Sequence, residues 1–139
     1  MNLKVHVSFE KLNTLDSIEE GLYKATQSFL FKGVLNSMYL SEVTEELSKS
    51  AAYMIIREDT ILLHARPSSH VKEPFVAYLY TEKPVLYHQK NLKHFFVFGA
   101  KDNQAHLNLL SSLVRYISKS DTYDKESLYR HFNPEEDSA

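Results

Sequence analysis

Apolar and polar residues alternate along "LKVHVSF" (residues 3–9), and this period of two predicts a strand with one buried face. The apolar residues that follow this strand recur at the spacing of a helix. Asp16 and Glu19 resemble a capping box at the start of this helix, and Gly33 is a plausible end. The apolar stripe of the helix consists of Ile18, Leu22, Ala25 and Phe29.

The middle of the chain predicts one more helix and then a series of strands. The helix would begin near Asn36 or Ser37, with an apolar stripe of Leu40, Val43 and Leu47. The predicted strands are "AAYMII", "TILLH", "PFVAYLY", "VLYH" and "HFFVFGA". Lys83 and Pro84 would separate the third strand from the fourth, and Gly99 would end the last one.

The last third of the chain returns to helical spacing. A helix is predicted from Asp102 to about Ser118, and a shorter one from about Asp124 to Phe132. The stripe of the longer helix consists of His106, Leu110, Leu113 and Ile117. Strands and helices interleaved in this way predict an α/β (α+β) fold, a three-layer α-β-α sandwich with a mixed central β-sheet, in a single domain over residues 1–139.

Composition narrows the class of protein. A chain of 139 residues with 43% hydrophobic residues fits one globular domain, and its net charge of −2 argues against a nucleic-acid binder. The absence of cysteine excludes disulfides and thiolate metal sites and suits the cytoplasm. No apolar run approaches the roughly 20 residues that span a bilayer, so we expect a cytoplasmic protein without direct membrane insertion.

The stretch "TILLHARPSS" contains the leading candidate for chemistry, because it places His64 where a buried strand exits into a turn. Imidazole is a good nucleophile near neutral pH, since its reference pKa is ~6.5. Arg66, Ser68 and Ser69 follow closely and could hold a phosphoryl group. The alternative is a histidine that merely caps the strand through a hydrogen bond.

His106 is the second candidate, in the apolar stripe and first turn of its predicted helix. If this helix packs on the sheet that contains "TILLH", its N-terminal end could face the strand exit. Its free backbone N–H groups and positive dipole end would then favour a bound anion. Taken alone, His106 is better explained as a partly buried histidine with satisfied hydrogen bonds.

Other chemistries have little support. Two pairs of histidines lie six residues apart, but neither spacing matches a metalloprotease or a zinc finger, so no metal is predicted. No G-x-S-x-G motif, P-loop or dinucleotide fingerprint occurs. The acidic cluster of the second predicted helix is interpreted as a solvated face and consists of Glu42, Glu45 and Glu46.

Two motifs resemble a known family. "LLHARPSSHVKEPFVAY" is followed by "NQAHLNLLSSLVRYI", whose histidine lies 42 residues after the first histidine of the earlier motif. This pattern resembles the enzyme IIA component of the bacterial phosphoenolpyruvate-dependent sugar phosphotransferase system, of the mannitol/fructose type with its ascorbate-type relatives. In that family a buried strand ends in a histidine, a V-K-x-P-F stretch follows, and a later helix begins with a motif close to Asn-x-x-His-Leu. The resemblance covers nearly the whole chain.

The resemblance implies roles for the two histidines. His64 would take a phosphoryl group from the histidine-containing phosphocarrier protein and pass it to enzyme IIB. His106 would hydrogen-bond the phosphoryl oxygens or orient the first ring. No metal or organic cofactor would be required, and the two partners would dock in turn through modest, transient contacts.

The sequence also departs from the family pattern. Leu63 stands where a proline usually precedes the nucleophile, and "REDT" replaces the glycine that commonly opens the strand. For the arginine that helps bind phosphate in the mannitol branch, the nearest counterpart here is Lys49. Arg66 belongs to the "HARP" form, seen most in the ascorbate-type branch, which points to ascorbate or a related polyol or sugar acid.

Three functions are therefore considered. The first is a free-standing carrier for uptake of an ascorbate-, mannitol- or fructose-like sugar, favoured by a chain that starts at Met1 and ends soon after its last helix. The second is a regulatory module in which phosphorylation of His64 controls a transcription or signalling partner. The third is a degenerate relative that has lost phosphotransfer.

Overall fold

The computed structural model describes residues 4–119 and 122–134. The helices and strands of these residues are β1 (His6–Leu12), α1 (Ile18–Lys32), α2 (Ser37–Met54), β2 (Ile55–Arg57), β3 (Thr60–Leu63), β4 (Phe75–Tyr87), β5 (Lys90–Gly99), α3 (Asn103–Ser118) and α4 (Lys125–Phe132).

The strands form one mixed sheet in the order β1-β4-β5-β3-β2. β1 pairs with β4 and β3 with β5 in parallel, whereas β4–β5 and β2–β3 are antiparallel. Alternate residues of β5 enter two separate cores. Phe95 and Val97 pack beneath α1 and α2, while Phe96 and Phe98 pack beneath α3 and α4. Both sheet faces are covered, so the predicted three-layer arrangement with a mixed sheet is confirmed.

Capping residues determine where helix α1 begins and ends. The Ser17 hydroxyl accepts the Glu20 N–H, and the Glu20 carboxylate in turn accepts the Asp16 N–H. The predicted capping box of Asp16 and Glu19 is therefore wrong by one residue. Gly33 does end the helix, in the left-handed conformation (φ 77°) that glycine adopts without steric cost.

The prediction of a strand over "AAYMII" is wrong for its first four residues. Helix α2 kinks at Ser50 (φ −134°, ψ 28°) and then continues to Met54, so that strand β2 begins only at Ile55. Alanine has the highest helix propensity, and Met54 is buried in the core beneath α2. Core packing and helix propensity together keep these residues helical, although a run of large apolar residues is typical of a strand.

Pro84 does not divide β4 into two strands as predicted. The strand is continuous from Phe75 to Tyr87, with an irregular register against β5 between Tyr80 and Val85. On the other side, the ladder with β1 ends at Thr81. Pro84 therefore lies where no regular ladder hydrogen bond is required of it.

Helix α2 is the longest helix of the described residues, at 18 residues, and it is kinked. Among the helices of residues 4–119 and 122–134, none combines the length and the hydrophobicity needed to cross a bilayer.

Candidate active site

His64 directly follows the last ladder pair of β3 and β5, which is Leu63–Val97. Its ring stacks on Phe98, with centroids 4.9 Å apart and planes 21° apart, and its Nδ1 lies 3.0 Å from the Leu62 carbonyl oxygen. Because a carbonyl oxygen only accepts, Nδ1 must carry the proton and donate it. Nε2 therefore keeps its lone pair, and no hydrogen bond occupies it among the residues that the structure describes.

His106 lies in the first turn of α3 and faces His64. Their ring centroids are 5.9 Å apart, and the His106 ring also contacts Phe98 at 5.1 Å. Its Nδ1 is buried without a hydrogen-bond partner in the described part of the chain, which leaves Nε2 as the polar atom available to the cleft. The start of α3 thus lies at the exit of β3. The Asp102 carboxylate already caps it by accepting the Ala105 N–H, which offsets the expected attraction of this terminus for an anion.

Burial lowers the pKa of both imidazoles. For His64 the hydrogen bond to Leu62 and the negative charge of Glu46 act in the opposite direction, but burial has the larger effect. For His106 the neighbouring His64 lowers the pKa further. Both rings are therefore neutral at neutral pH, which is the state in which Nε2 of His64 is nucleophilic.

The two histidines lie in an open cleft of about 290 Å³. Its other walls include Glu46, Ser50 and Tyr53 from α2, and the kink at Ser50 lies at the cleft. Tyr53 is 87% exposed beside the cleft. A shallow cleft with an exposed aromatic side chain at its edge is accessible to a protein partner.

The structure separates the three predicted phosphate-binding residues. Arg66 lines the cleft. Ser68 is buried in the turn, where its hydroxyl accepts the His70 N–H, and it does not line the cleft. Lys49 forms an ion pair with Glu45 at 3.0 Å on the exposed side of α2.

The acidic cluster of α2 is more than a solvated face. Glu42, Glu45 and Glu46 line a hollow of about 170 Å³ that adjoins the cleft, and Arg66 lines this hollow as well. Arg66 thus lines both the hollow with the three carboxylates and the cleft with the two histidines.

Sequence reasoning missed Tyr39, the residue that joins α2 to the site. Its side chain is fully buried, and its hydroxyl contacts the backbone next to His64 and of Phe98. The spacing of apolar residues contained a signal, because Tyr39, Val43 and Leu47 recur at steps of four, and all three are buried. The predicted apolar stripe began instead at Leu40, which is only half-buried.

No metal centre is evident. Residues 4–119 and 122–134 contain no group of three or more His, Cys, Asp or Glu side chains placed to hold a metal ion.

The two imidazoles lie in an open cleft rather than in an enclosed pocket of the kind that buries most of a small-molecule ligand. Residues 4–134 match the family described as "Phosphoenolpyruvate-dependent sugar phosphotransferase system, EIIA 2". The chain belongs to this family and is a component of a phosphotransferase system, with a general role in phosphoryl transfer. The resemblance noted in the sequence is confirmed.

Solved structures share the fold. A Streptococcus mutans protein, PtxA, described as a PTS IIA, is 15% identical, with a TM-score of 0.74 over 94% of this chain and 90% of its own. Nitrogen Regulatory Protein IIA-Ntr from Neisseria meningitidis is 16% identical, with a TM-score of 0.69 over 89% and 92%. Escherichia coli enzyme IIAMtl, in complex with phosphorylated enzyme IIBMtl, is 12% identical, with a TM-score of 0.64 over 87% and 84%. The comparison with curated proteins found no match.

Proposed function

We propose that this protein is a cytoplasmic phosphohistidine carrier, in which His64 accepts a phosphoryl group from the histidine-containing phosphocarrier protein and passes it to enzyme IIB. One observation carries the proposal. The His64 ring is anchored through Nδ1 to the Leu62 carbonyl, and its Nε2, to which no described residue hydrogen-bonds, lies at the cleft with His106. A histidine that merely caps its strand would not need an accessible second nitrogen.

The chemistry follows from this tautomer. The Nε2 lone pair of His64 forms a bond to phosphorus while the phosphorus–nitrogen bond of the donor's phosphohistidine breaks, and the donor's ring leaves with the electron pair. The His64 ring becomes positively charged in this step. Its Nδ1–H already points at the Leu62 carbonyl oxygen, whose partial negative charge stabilises that positive charge. Transfer to enzyme IIB reverses these changes.

His106 is proposed to donate from Nε2 to a phosphoryl oxygen. The ring separation of 5.9 Å is short enough for both imidazoles to contact one phosphoryl group. This role requires a proton on Nε2 and leaves the buried Nδ1 of His106 as an unpaired acceptor, which is less costly to bury than an unpaired N–H donor. A fixed donor aimed at developing negative charge is a large contributor to catalysis.

Arg66 is the proposed phosphate-binding side chain, because it lines the cleft. Lys49 would have to leave Glu45, and Ser68 would have to release the His70 amide, before either could take that role. Arg66 also suits the task chemically, since its planar guanidinium can bind two phosphoryl oxygens at once.

The surface around the cleft supports transient protein partners. Tyr53, which is 87% exposed, lines the cleft, and Leu107, which is 59% exposed, directly follows His106 in the sequence. The IIAMtl structure from Escherichia coli was solved with phosphorylated IIBMtl, which supports enzyme IIB as the receiver here. The sugar delivered by the system is proposed to be ascorbate-, mannitol- or fructose-like, and this domain need not touch it.

Incubation with enzyme I, the phosphocarrier protein and phosphoenolpyruvate tests the proposal. We expect acid-labile phosphate on the wild-type protein and on His88→Ala, which removes an exposed imidazole from the β4–β5 turn. We expect none on His64→Ala. Persistent label on His64→Ala would overturn the site assignment, and an unlabelled wild-type protein would favour a relative that has lost phosphotransfer.

A regulatory role is the second candidate, because IIA-Ntr, a nitrogen regulatory protein by name, shares the fold. A carrier loses its label when enzyme IIB is added. A regulatory module keeps the label under the same conditions and changes its affinity for another partner instead.

A further inference from the structure

The backbone beyond β3 needs support from outside the sheet. The ladder between β3 and β5 ends at Leu63–Val97, so the ladder pairs do not include the residues that follow. Tyr39, at the start of α2, supplies a link at this point. Its hydroxyl donates to the Phe98 carbonyl oxygen at 2.8 Å and accepts the Ala65 N–H at 3.1 Å.

Both backbone groups belong to the candidate site. Ala65 directly follows His64, and the ring of Phe98 stacks on the His64 ring. A single hydroxyl therefore connects the chain after the nucleophile to the residue that supports its ring. A buried hydroxyl used both as donor and as acceptor holds its partners in a narrow range of positions.

The surrounding core fits the Tyr39 ring in this position. The ring meets Phe75 edge to face, with centroids 6.0 Å apart and planes at 89°. A Cβ added at Gly99 would lie 2.5 Å from the Phe75 ring and 3.0 Å from the Tyr39 ring. The absence of a side chain at position 99 is therefore what lets both rings pack against the end of β5.

We propose that Tyr39 is a positioning residue for phosphoryl transfer: its hydroxyl holds the backbone around His64 so that Nε2 points into the cleft. This inference rests on the proposed function of His64. Tyr39 itself does not line the cleft. Loss of the hydroxyl is expected to slow transfer about 10- to 100-fold, because small displacements of a nucleophile have effects of this size. The KM for the phosphorylated donor should change little, since the exposed surface is untouched.

Tyr39→Phe removes the hydroxyl alone, and Tyr78→Phe is its matched control. Tyr78 is also buried on the sheet, its hydroxyl hydrogen-bonds His94, and it does not line the cleft. Single-turnover transfer from the phosphorylated phosphocarrier protein should be slowed in Tyr39→Phe and unchanged in Tyr78→Phe. Equal slowing of both variants, or wild-type transfer by Tyr39→Phe, would overturn the proposal.

The ring tautomer of His64 gives a readout that general destabilisation would not move. In the wild-type protein the ¹⁵N shifts should show Nδ1–H and a bare Nε2, and Tyr39→Phe should shift them toward a mixture of tautomers. An unchanged tautomer in that variant would contradict a positioning role. If the wild-type protein accepts no phosphoryl group, the proposed function fails while this measurement still tests Tyr39.

Amide hydrogen exchange of the wild-type protein keeps the inference testable if Tyr39→Phe does not fold. The Ala65 amide should exchange slowly, because the Tyr39 hydroxyl holds it in a buried position. Exchange of this amide at the rate of an unprotected peptide would show that the link is absent and would overturn the proposal.

Discussion

His64, directly after β3, and His94, on the neighbouring strand β5, lie on the same face of the sheet, but their rings are held in different ways. Nδ1 of His94 shares a hydrogen bond of 2.7 Å with the Tyr78 hydroxyl, and its Nε2 lies 3.6 Å from the Asp59 carboxylate. Within the described part of the chain, His64 makes a hydrogen bond through Nδ1 alone, to the Leu62 carbonyl. One imidazole therefore has a polar partner at each nitrogen, and the other has a partner at one.

The surroundings of the two rings explain this difference. His94 pairs with the first residue of β3 and is enclosed by the aromatic rings of Tyr78, Tyr80 and Tyr123. His64 follows the last residue of β3, where the ladder ends and the cleft opens. The proposed reactivity of His64 thus follows from the ring nitrogen that no described residue hydrogen-bonds. The residue type alone does not decide it.

Removing the imidazole ring of each histidine in turn should give the largest difference between His64 and His94. His64→Ala should reduce phosphoryl labelling to background and cost less stability than His94→Ala, because the ring that it removes borders the open cleft. His94→Ala should still accept label but unfold at a lower denaturant concentration, with a loss of about 3 kcal/mol from the cavity and the unpaired Tyr78 hydroxyl. Urea unfolding measures the stability of each variant, and phosphoryl labelling measures how much phosphate each variant accepts. Loss of phosphoryl label in a folded His94→Ala variant would show that His64 and His94 are not functionally distinct.

The second test concerns the partner ring of His64. His106→Ala should slow transfer by about 100- to 1,000-fold, the usual cost of removing one fixed donor to developing negative charge. His106→Gln keeps an N–H donor and should recover part of that loss. Rapid-quench measurement of single-turnover rates distinguishes the two variants. Equal rates for wild type and His106→Ala would exclude a role for the second imidazole.

The pH dependence of the His64 ring tests whether this imidazole is neutral in the folded protein. Protonation of Nε2 removes the lone pair that attacks phosphorus, and burial lowers the pKa of His64. NMR titration of its ring should therefore have a midpoint below ~6.5, with the neutral, reactive form persisting as pH falls below that reference value. Glu46→Gln should lower the midpoint further, because the charge of Glu46 raises the pKa. A midpoint above the reference value would contradict a buried, neutral nucleophile.

The smallest expected effect lies at the far end of the sheet. His88 and Gln89 form the two-residue turn between β4 and β5 with positive φ angles of 49° and 65°, a conformation that Asn-Gly adopts more readily. Replacing both with Asn and Gly should stabilise the protein by about 1 kcal/mol and leave transfer unchanged. Thermal unfolding and the labelling rate check the two halves of this prediction. A changed labelling rate would mean that the hairpin end influences the site.

The parts of the fold that depend on local pattern were predictable from the sequence. Period-two and helical spacings located most strands and helices, and the apolar run before His64 located the strand exit. The largest error fell where distant packing decides the outcome. The kink at Ser50 and the burial of Met54 keep "AAYM" helical, although the run itself resembles a strand.

The candidate site shows the same limit. The stripe containing His106 predicted its approach to His64, because both residues lie where an element meets the sheet edge. Lys49 could not be placed, since the rotation of α2 near its kink decides which side chains reach the cleft. Tyr39 could not be assigned a role either, because its hydroxyl partners are 26 and 59 residues away.

The most direct test of the central claim is the identity of the nitrogen that carries phosphorus. The protein would be labelled with ¹⁵N at histidine, phosphorylated by the phosphocarrier protein, and examined for phosphorus–nitrogen coupling by NMR. We predict coupling to Nε2 of His64, with its Nδ1 still protonated against the Leu62 carbonyl. Coupling to Nδ1 of His64, or to any other histidine, would contradict the account.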